Sequence, residues 1–125
     1  MNSITNLGRY LFEIPMAIFG AFHFMNAAAM AEMVPVPGGV VWVYVAGISL
    51  IMAAVAIFLG KLDKLAAVLL AVELLLFAIL IHLPNAMGDN PAAQQYGQTM
   101  FLKDFALAGS ELMCAMLAND KTGIG

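Results

Sequence analysis

Long runs of apolar residues, separated by short polar stretches, divide the chain into four segments. The second segment contains no charged side chain, and the third is interrupted only by Glu73 and His82. Because about 20 mostly apolar residues span the hydrocarbon core of a bilayer as a helix, each segment is predicted to be a transmembrane helix. The four segments are residues 8–31, 40–60, 64–84 and 99–118.

The stretches between these segments are short and rich in turn-forming residues. They are residues 32–39, 60–64 and 84–97. Short connections join helices that run in opposite directions. The pattern therefore predicts an all-α membrane protein, a four-transmembrane-helix up-down bundle, with residues 1–125 forming a single integral membrane domain.

The first segment shares some features with a signal peptide, since Arg9 precedes an apolar run and residues 27–31 read AAAMA. Glu13 and His23 interrupt that run. We therefore expect this segment to be retained as a helix.

Basic residues predict the orientation, because Lys and Arg concentrate in cytoplasmic loops. Arg9, Lys61, Lys64 and Lys121 all fall on one side of a four-span topology, and the two loops on the other side contain neither Lys nor Arg. A multi-pass protein of the bacterial cytoplasmic (inner) membrane, with both termini in the cytoplasm, is predicted.

The composition fits this class of protein and excludes others. The chain is 63% hydrophobic and 10% charged, whereas soluble domains contain about 25% charged residues. The five basic residues are scattered, so no patch is available to bind nucleic acid. A single cysteine excludes an intrachain disulfide, a CxxC redox pair and a thiolate-rich metal site, and no metal site is predicted.

The polar residues of the first and fourth segments lie on one side of each predicted helix. In the fourth, Lys103, Asp104, Ser110, Glu111 and Cys114 occupy a polar sector. In the first, Glu13, Gly20 and Ala27 recur every seven residues, and the two small residues allow a neighbouring helix to approach closely. The opposite faces are expected to meet lipid; they carry Ile14, Ile18 and Met25 in the first segment and Phe105, Leu112 and Met116 in the fourth.

In the third segment, Glu73 and His82 are nine residues apart, which places them roughly 180° apart on a regular α-helix. Both therefore cannot face the same interior. We expect Glu73, near the middle of the membrane, to point inward, and His82 to reach headgroups, water or another subunit.

Position along the membrane normal separates the polar residues into two groups. A cluster in the outer half is predicted to contain His23, Asn26, His82, Lys103 and Asp104. The buried acids are Glu13 and Glu111 toward the inner half, with Glu73 between the two groups.

Three stretches resemble the DoxX family of small four-helix bacterial membrane proteins. They are GRYLFEIPMAIFGAFHF in the first segment, FLGKLDKLAAVLLA at the second junction and FLKDFALAGSEL in the fourth, and the likeness spans residues 8–117. The resemblance implies four membrane helices with cytoplasmic ends. Characterised relatives include small subunits of thiosulfate:quinone oxidoreductases, which implies an oxidoreductase-associated role. Glu111 stands where many relatives have a small residue.

The function predicted from these observations is that of an ancillary membrane subunit of a quinone-linked oxidoreductase or respiratory-type complex. The outer cluster would bind quinone, the one cofactor predicted, or relay protons to it. The expected partners are the lipid bilayer and other membrane subunits or further copies of the chain. The sequence contains no nucleophile–base pair, so no catalytic residue is assigned and catalysis by this chain alone is not predicted.

Other functions fit the same residues. The chain could be a purely structural subunit, with His82 or Glu73 contacting a partner. It could be a small carrier or proton-pathway protein that uses Glu13, Glu73 and Glu111. Haem ligation by His23 and His82 is a further alternative.

Overall fold

The computed structural model describes Ile4, residues 7–32 and residues 38–118, and within these ranges every regular element is helical, which confirms the predicted all-α class. Lys121 and most of the first predicted loop, residues 33–37, lie outside the described residues. The elements are α1 (Gly8–Met25), α2 (Ala27–Ala31), α3 (Gly39–Leu59), α4 (Asp63–Phe77), a π-helical segment (Ala78–His82), α5 (Leu83–Ala86) and α6 (Pro91–Met116).

Two of the helical runs are long and apolar enough to cross a membrane: Gly39–Leu59, and the continuous run Asp63–Ala86 formed by α4, the π-helical segment and α5. A tight reversal joins them. Gly60 ends α3 with φ +69°, a conformation that glycine adopts without steric cost, and Leu62 also has a positive φ of 55°.

Helices α1 and α3 pack closely through two glycines. A Cβ atom added to Gly20 would lie 2.7 Å from Cγ1 of Ile51 and 2.8 Å from the carbonyl oxygen of Gly47. A Cβ on Gly47 would lie 3.0 Å from both the Gly20 carbonyl oxygen and Cβ of His23. The prediction that Gly20 allows close approach of a neighbouring helix is thus confirmed, and this contact fixes the position of His23.

The core contains mostly small and aliphatic side chains from α1, α3, α4 and α6. Its buried members are Met16, Leu50, Ala53, Leu70, Ala71, Leu74 and Ala108. The faces expected to meet lipid point outward: Ile14, Ile18, Met25, Phe105, Leu112 and Met116 are all exposed. So many exposed large apolar side chains suit an apolar solvent rather than water.

Helix α6 begins at Pro91, eight residues before the predicted start at residue 99, so that prediction was wrong. The physical reason is the cap. The Asn90 side-chain oxygen accepts hydrogen bonds from the backbone N–H groups of Ala92 (3.0 Å) and Ala93 (3.3 Å), and proline is favoured at the first helical position. Helix α5 packs against this added part, where a Cβ on Gly97 would lie 2.5 Å from the backbone nitrogen of Ala86.

The π-helical segment overturns the prediction that Glu73 and His82 face opposite ways. Bonding from i to i+5 puts more residues in each turn, so each residue of Ala78–His82 advances less around the axis than in an α-helix. The segment thereby turns His82 back toward the side of Glu73, and both residues line the same cleft.

Candidate functional site

A cleft of about 190 Å³ lies between α1, α3, α4 and α6, toward the end of the bundle that carries α2 and α5. We call it the polar cleft. Its walls are mainly apolar and aromatic, including Phe19, Phe22, Trp42, Phe77, Tyr96 and Met100. Its acidic, basic and imidazole side chains are those of His23, Glu73, His82, Lys103 and Asp104.

Asp104 organises one side of the polar cleft. Its carboxylate is buried, with Oδ2 3.1 Å from Nε2 of His82 and Oδ1 3.6 Å from Nζ of Lys103. The Lys103 ammonium also lies 5.6 Å from the centre of the Phe19 ring, within cation–π range. One carboxylate thus holds an imidazole and an ammonium group together, and among the described residues Nδ1 of His82 has no hydrogen-bond partner.

His23 contributes from α1. Its Nδ1 lies 2.6 Å from the carbonyl oxygen of Phe19, one turn earlier. Since a carbonyl oxygen can only accept, Nδ1 carries the hydrogen, and Nε2 of the neutral ring is left as an acceptor. The polar cleft therefore combines a hydrogen-bond acceptor on α1 with the cationic group on α6.

Asn26 was predicted to belong to this cluster, but the structure places it elsewhere. It is exposed, it is not among the residues that line the polar cleft, and its side-chain nitrogen donates to the carbonyl oxygen of Phe22 at 3.1 Å. The helix is interrupted at this residue, between α1 and α2, so extrapolating a continuous helix past residue 25 placed it wrongly.

Glu73 is half-buried and is one of the residues that line the polar cleft. It also lines a groove of about 560 Å³ on the far side, between α3 and α4, together with Ser49. The Ser49 hydroxyl donates to the carbonyl oxygen of Val45 at 2.8 Å and lies close enough to interact with the Glu73 carboxyl. The carboxyl thus sits between two cavities.

A second polar group lies further toward the start of α1. Glu13 from α1 meets Glu111 and Cys114 from α6, with one possible ligand atom from each residue within 4.8 Å of the other two. We call this group the Glu–Glu–Cys cluster. Both glutamates are 0% exposed, their carboxyl groups lie close enough to share a hydrogen bond with each other, and no other described residue donates to their oxygens. The apolar side chains of Met16 and Ala108 belong to the core between this cluster and the polar cleft.

Arg9 is a buried residue that the sequence reasoning treated only as an orientation marker and as the basic residue of a possible signal peptide. Its Nη1 donates to the carbonyl oxygen of Leu117 at 2.8 Å and lies 3.9 Å from Oδ2 of the buried Asp63, while Nη2 donates to the Tyr10 hydroxyl at 3.1 Å. These contacts bring the start of α1, the start of α4 and the end of α6 together at one end. Sequence reasoning also missed Asp63, although an acid in the first turn of a helix is a readable signal.

The described residues form an all-helical fold that exposes large apolar side chains and buries ionisable groups, as helical membrane proteins do. The DoxX family model matches residues 5–83, which is more than half of the chain. The chain therefore belongs to the DoxX family, as the motifs of the first segment and the second junction predicted. The match ends before α6 and so does not include the FLKDFALAGSEL stretch. No curated protein and no solved structure matches the chain.

Proposed function

We propose that the chain crosses the membrane four times as an up-down bundle, with both termini in the cytoplasm. Two observations support this topology beyond the two apolar runs. Helix α6 has 26 residues, about 39 Å at 1.5 Å per residue, which exceeds a hydrocarbon core of about 30 Å. The Arg9 contacts also place the predicted cytoplasmic ends of α1, α4 and α6 side by side.

Within this bundle, we propose that the polar cleft binds the head group of a quinone, and that the protein is an ancillary subunit of a quinone-linked oxidoreductase. The observation that carries this proposal is the joint presence of aromatic walls and the His82–Asp104–Lys103 array. A cavity of about 150 Å³ suffices to bind benzene, so a space of about 190 Å³ is of the size that a substituted ring requires.

The polar groups match the needs of a quinone. Each carbonyl oxygen accepts hydrogen bonds, which Lys103 and the imidazolium form of His82 can donate. Full reduction to the quinol consumes two electrons and two protons. Asp104 positions His82, which would pass one of the two protons to the nearer oxygen, and water entering the open cleft would supply the other. A partner subunit of the oxidoreductase supplies or removes the electrons.

The single tryptophan of the chain provides a direct test, because Trp42 lines the polar cleft and a bound quinone would quench its fluorescence. The full chain in mild detergent would be titrated with a short-chain quinone. Loss of one hydrogen bond to a charged donor costs roughly 1.5–3 kcal/mol, so Lys103→Met should weaken binding by about 10- to 150-fold. Lys61→Met, on the α3–α4 turn, is the matched control and should bind as tightly as the parent chain.

Saturable quenching that Lys103→Met weakens and Lys61→Met leaves intact would support the quinone proposal. Quenching that follows only the partition of quinone into micelles, equally in all three proteins, would refute it. Association with an oxidoreductase is tested separately by purifying the tagged chain from its native membrane and identifying the proteins that accompany it by mass spectrometry. Co-purification of subunits without a redox function would favour the purely structural role.

A proton pathway through Glu13, Glu73 and Glu111 is less well supported. Such a route needs a continuous series of polar groups, whereas the Met16 and Ala108 side chains pack in the core between the Glu–Glu–Cys cluster and the polar cleft. Proton flux into liposomes that Glu111→Gln abolishes would favour the pathway over the quinone site.

A further inference from the structure

We infer that the Glu–Glu–Cys cluster is a binding site for a divalent transition-metal ion of borderline softness, of the Zn²⁺, Co²⁺ or Fe²⁺ type. Glu13 and Glu111 offer carboxylate oxygens, and Cys114 offers a sulfur, with one such atom from each within 4.8 Å of the others. The site is separate from the polar cleft and does not depend on quinone binding.

The burial of two facing carboxyl groups beside a thiol is the observation that points to a ligand. Both are fully buried, and apart from the other glutamate of the pair no described residue donates a hydrogen bond to their oxygens. Burying a charged group without a partner is among the costliest arrangements in a protein, so such groups are normally protonated, paired or bound to a metal. A dication would neutralise both carboxylates at once.

The nearby charged groups do not fill this role. Arg9 lies one turn before Glu13 on α1, but its Nη1 atom is directed at the Leu117 carbonyl oxygen and lies 3.9 Å from the Asp63 carboxylate. Arg9 and Asp63 carry opposite charges, so as a pair they leave the charge of the two glutamates uncompensated. Tyr10, on the same side of α1, donates to neither glutamate.

The arrangement of the ligands has the form of a metal site in a helical bundle. Glu111 and Cys114 are separated by three positions on α6, so their side chains lie on one face, and Glu13 approaches from the facing helix α1. Bundle metal sites use this geometry, with i, i+3 ligand pairs projecting inward from one helix toward ligands on another. Two oxygens and one sulfur suit borderline ions, since thiolate ligands disfavour Mg²⁺ and Ca²⁺.

The spacing needs only a small adjustment of the side chains. Bonds of about 2.0–2.3 Å place the donor atoms on a tetrahedral ion within roughly 4 Å of one another. The atoms in the cluster lie within 4.8 Å, so rotation of the two flexible glutamate side chains closes the difference. A bound ion would also link α1 to α6, the first and last long helices.

The test uses the full chain in mild detergent, stripped with a chelator and titrated with Co²⁺ alone. We expect one Co²⁺ per chain and a near-ultraviolet sulfur-to-cobalt charge-transfer band. Cys114→Ser should abolish the band. Glu111→Gln should raise the Kd for Co²⁺ by more than about tenfold, because substituting even a residue that only hydrogen-bonds to a metal ligand weakens metal binding by that factor. Glu73→Gln, a membrane acid outside the cluster, is the control and should bind Co²⁺ like the parent chain.

Two results would overturn the inference. One is the absence of stoichiometric Co²⁺ binding or of the charge-transfer band in the parent chain. The other is an infrared band of a protonated carboxyl that disappears in Glu111→Gln but is unchanged by Co²⁺ in the parent chain, which would show that the two glutamates share protons instead of a metal. Cys114→Ser is a small change and should leave the fold intact. A helical circular dichroism spectrum like that of the parent chain will show that loss of the band comes from loss of the sulfur ligand and not from misfolding.

Discussion

The close contact between α1 and α3 makes a sharp prediction for Gly20→Ala. The added methyl group would lie 2.7 Å from Cγ1 of Ile51 and 2.8 Å from the Gly47 carbonyl oxygen. The Ile51 side chain can rotate, but a backbone oxygen inside α3 cannot move without moving the helix. Overpacking of this kind costs about 1–3 kcal/mol.

The matched control is Gly109→Ala, because a Cβ on Gly109 meets no atom within 4 Å. Both glycines lie within helices, so each substitution gains the same helix propensity, about 1 kcal/mol. This gain cancels in the comparison, and the difference between the two variants isolates the contact. Gly20→Ala should therefore be less stable than Gly109→Ala by about 1–3 kcal/mol, which is roughly a 5- to 150-fold difference in the unfolding equilibrium constant.

Reversible unfolding in mixed micelles of increasing SDS content, followed by far-ultraviolet circular dichroism, would measure the difference. A Gly20→Ala variant as stable as Gly109→Ala would show that α1 and α3 do not make this contact. A Gly109→Ala variant that is itself destabilised would show that Gly109 faces another protein surface and would disqualify it as the control.

Three further predictions concern the polar cleft and its supports. Asn90→Ala should cost about 1 kcal/mol and speed amide hydrogen exchange at Ala92 and Ala93, whereas Asn90→Asp should retain the cap. Asp104→Ala should lower stability by about 1–3 kcal/mol in thermal unfolding because His82 loses its buried acceptor, and a loss no larger than that of Asp104→Asn would argue against this role. Deleting the exposed Ile79 should convert the π-helical segment to α-helix, keep the helical circular dichroism signal and abolish quinone quenching of Trp42; unchanged quenching would contradict the role assigned to that segment.

Much of the fold could be predicted from the sequence because apolar length and turn residues are local signals. The uncharged second segment, residues 40–60, corresponds to Gly39–Leu59 within one residue at each end. The start of α6 was misplaced because residues 84–97 are rich in turn-forming residues and were taken as a loop, although the Asn90–Pro91 pair was a readable start signal.

The site was less predictable because it depends on geometry that periodicity does not contain. Counting residues around a regular helix cannot anticipate a π-helical segment, so the shared orientation of Glu73 and His82 was missed. Depth along the membrane normal did place Glu13 and Glu111 at a similar level. Their direct contact, and the participation of Cys114, depend on how α1 and α6 pack and so required the structure.

The abundance of alanine where the helices meet has a consequence for how the bundle assembles. Ala53, Ala67, Ala71, Ala108 and Ala115 are all nearly fully buried. An alanine side chain has no rotamers to lose, so these contacts form without the side-chain entropy cost that longer residues carry. At these contacts the distance between neighbouring helices is then set by the backbone and not by side-chain rotamers. The helices around the polar cleft are thus held together by contacts that cost little side-chain entropy, and the residues that a bound molecule would have to order are the longer ones that line the cleft itself, such as Phe22 and Met100.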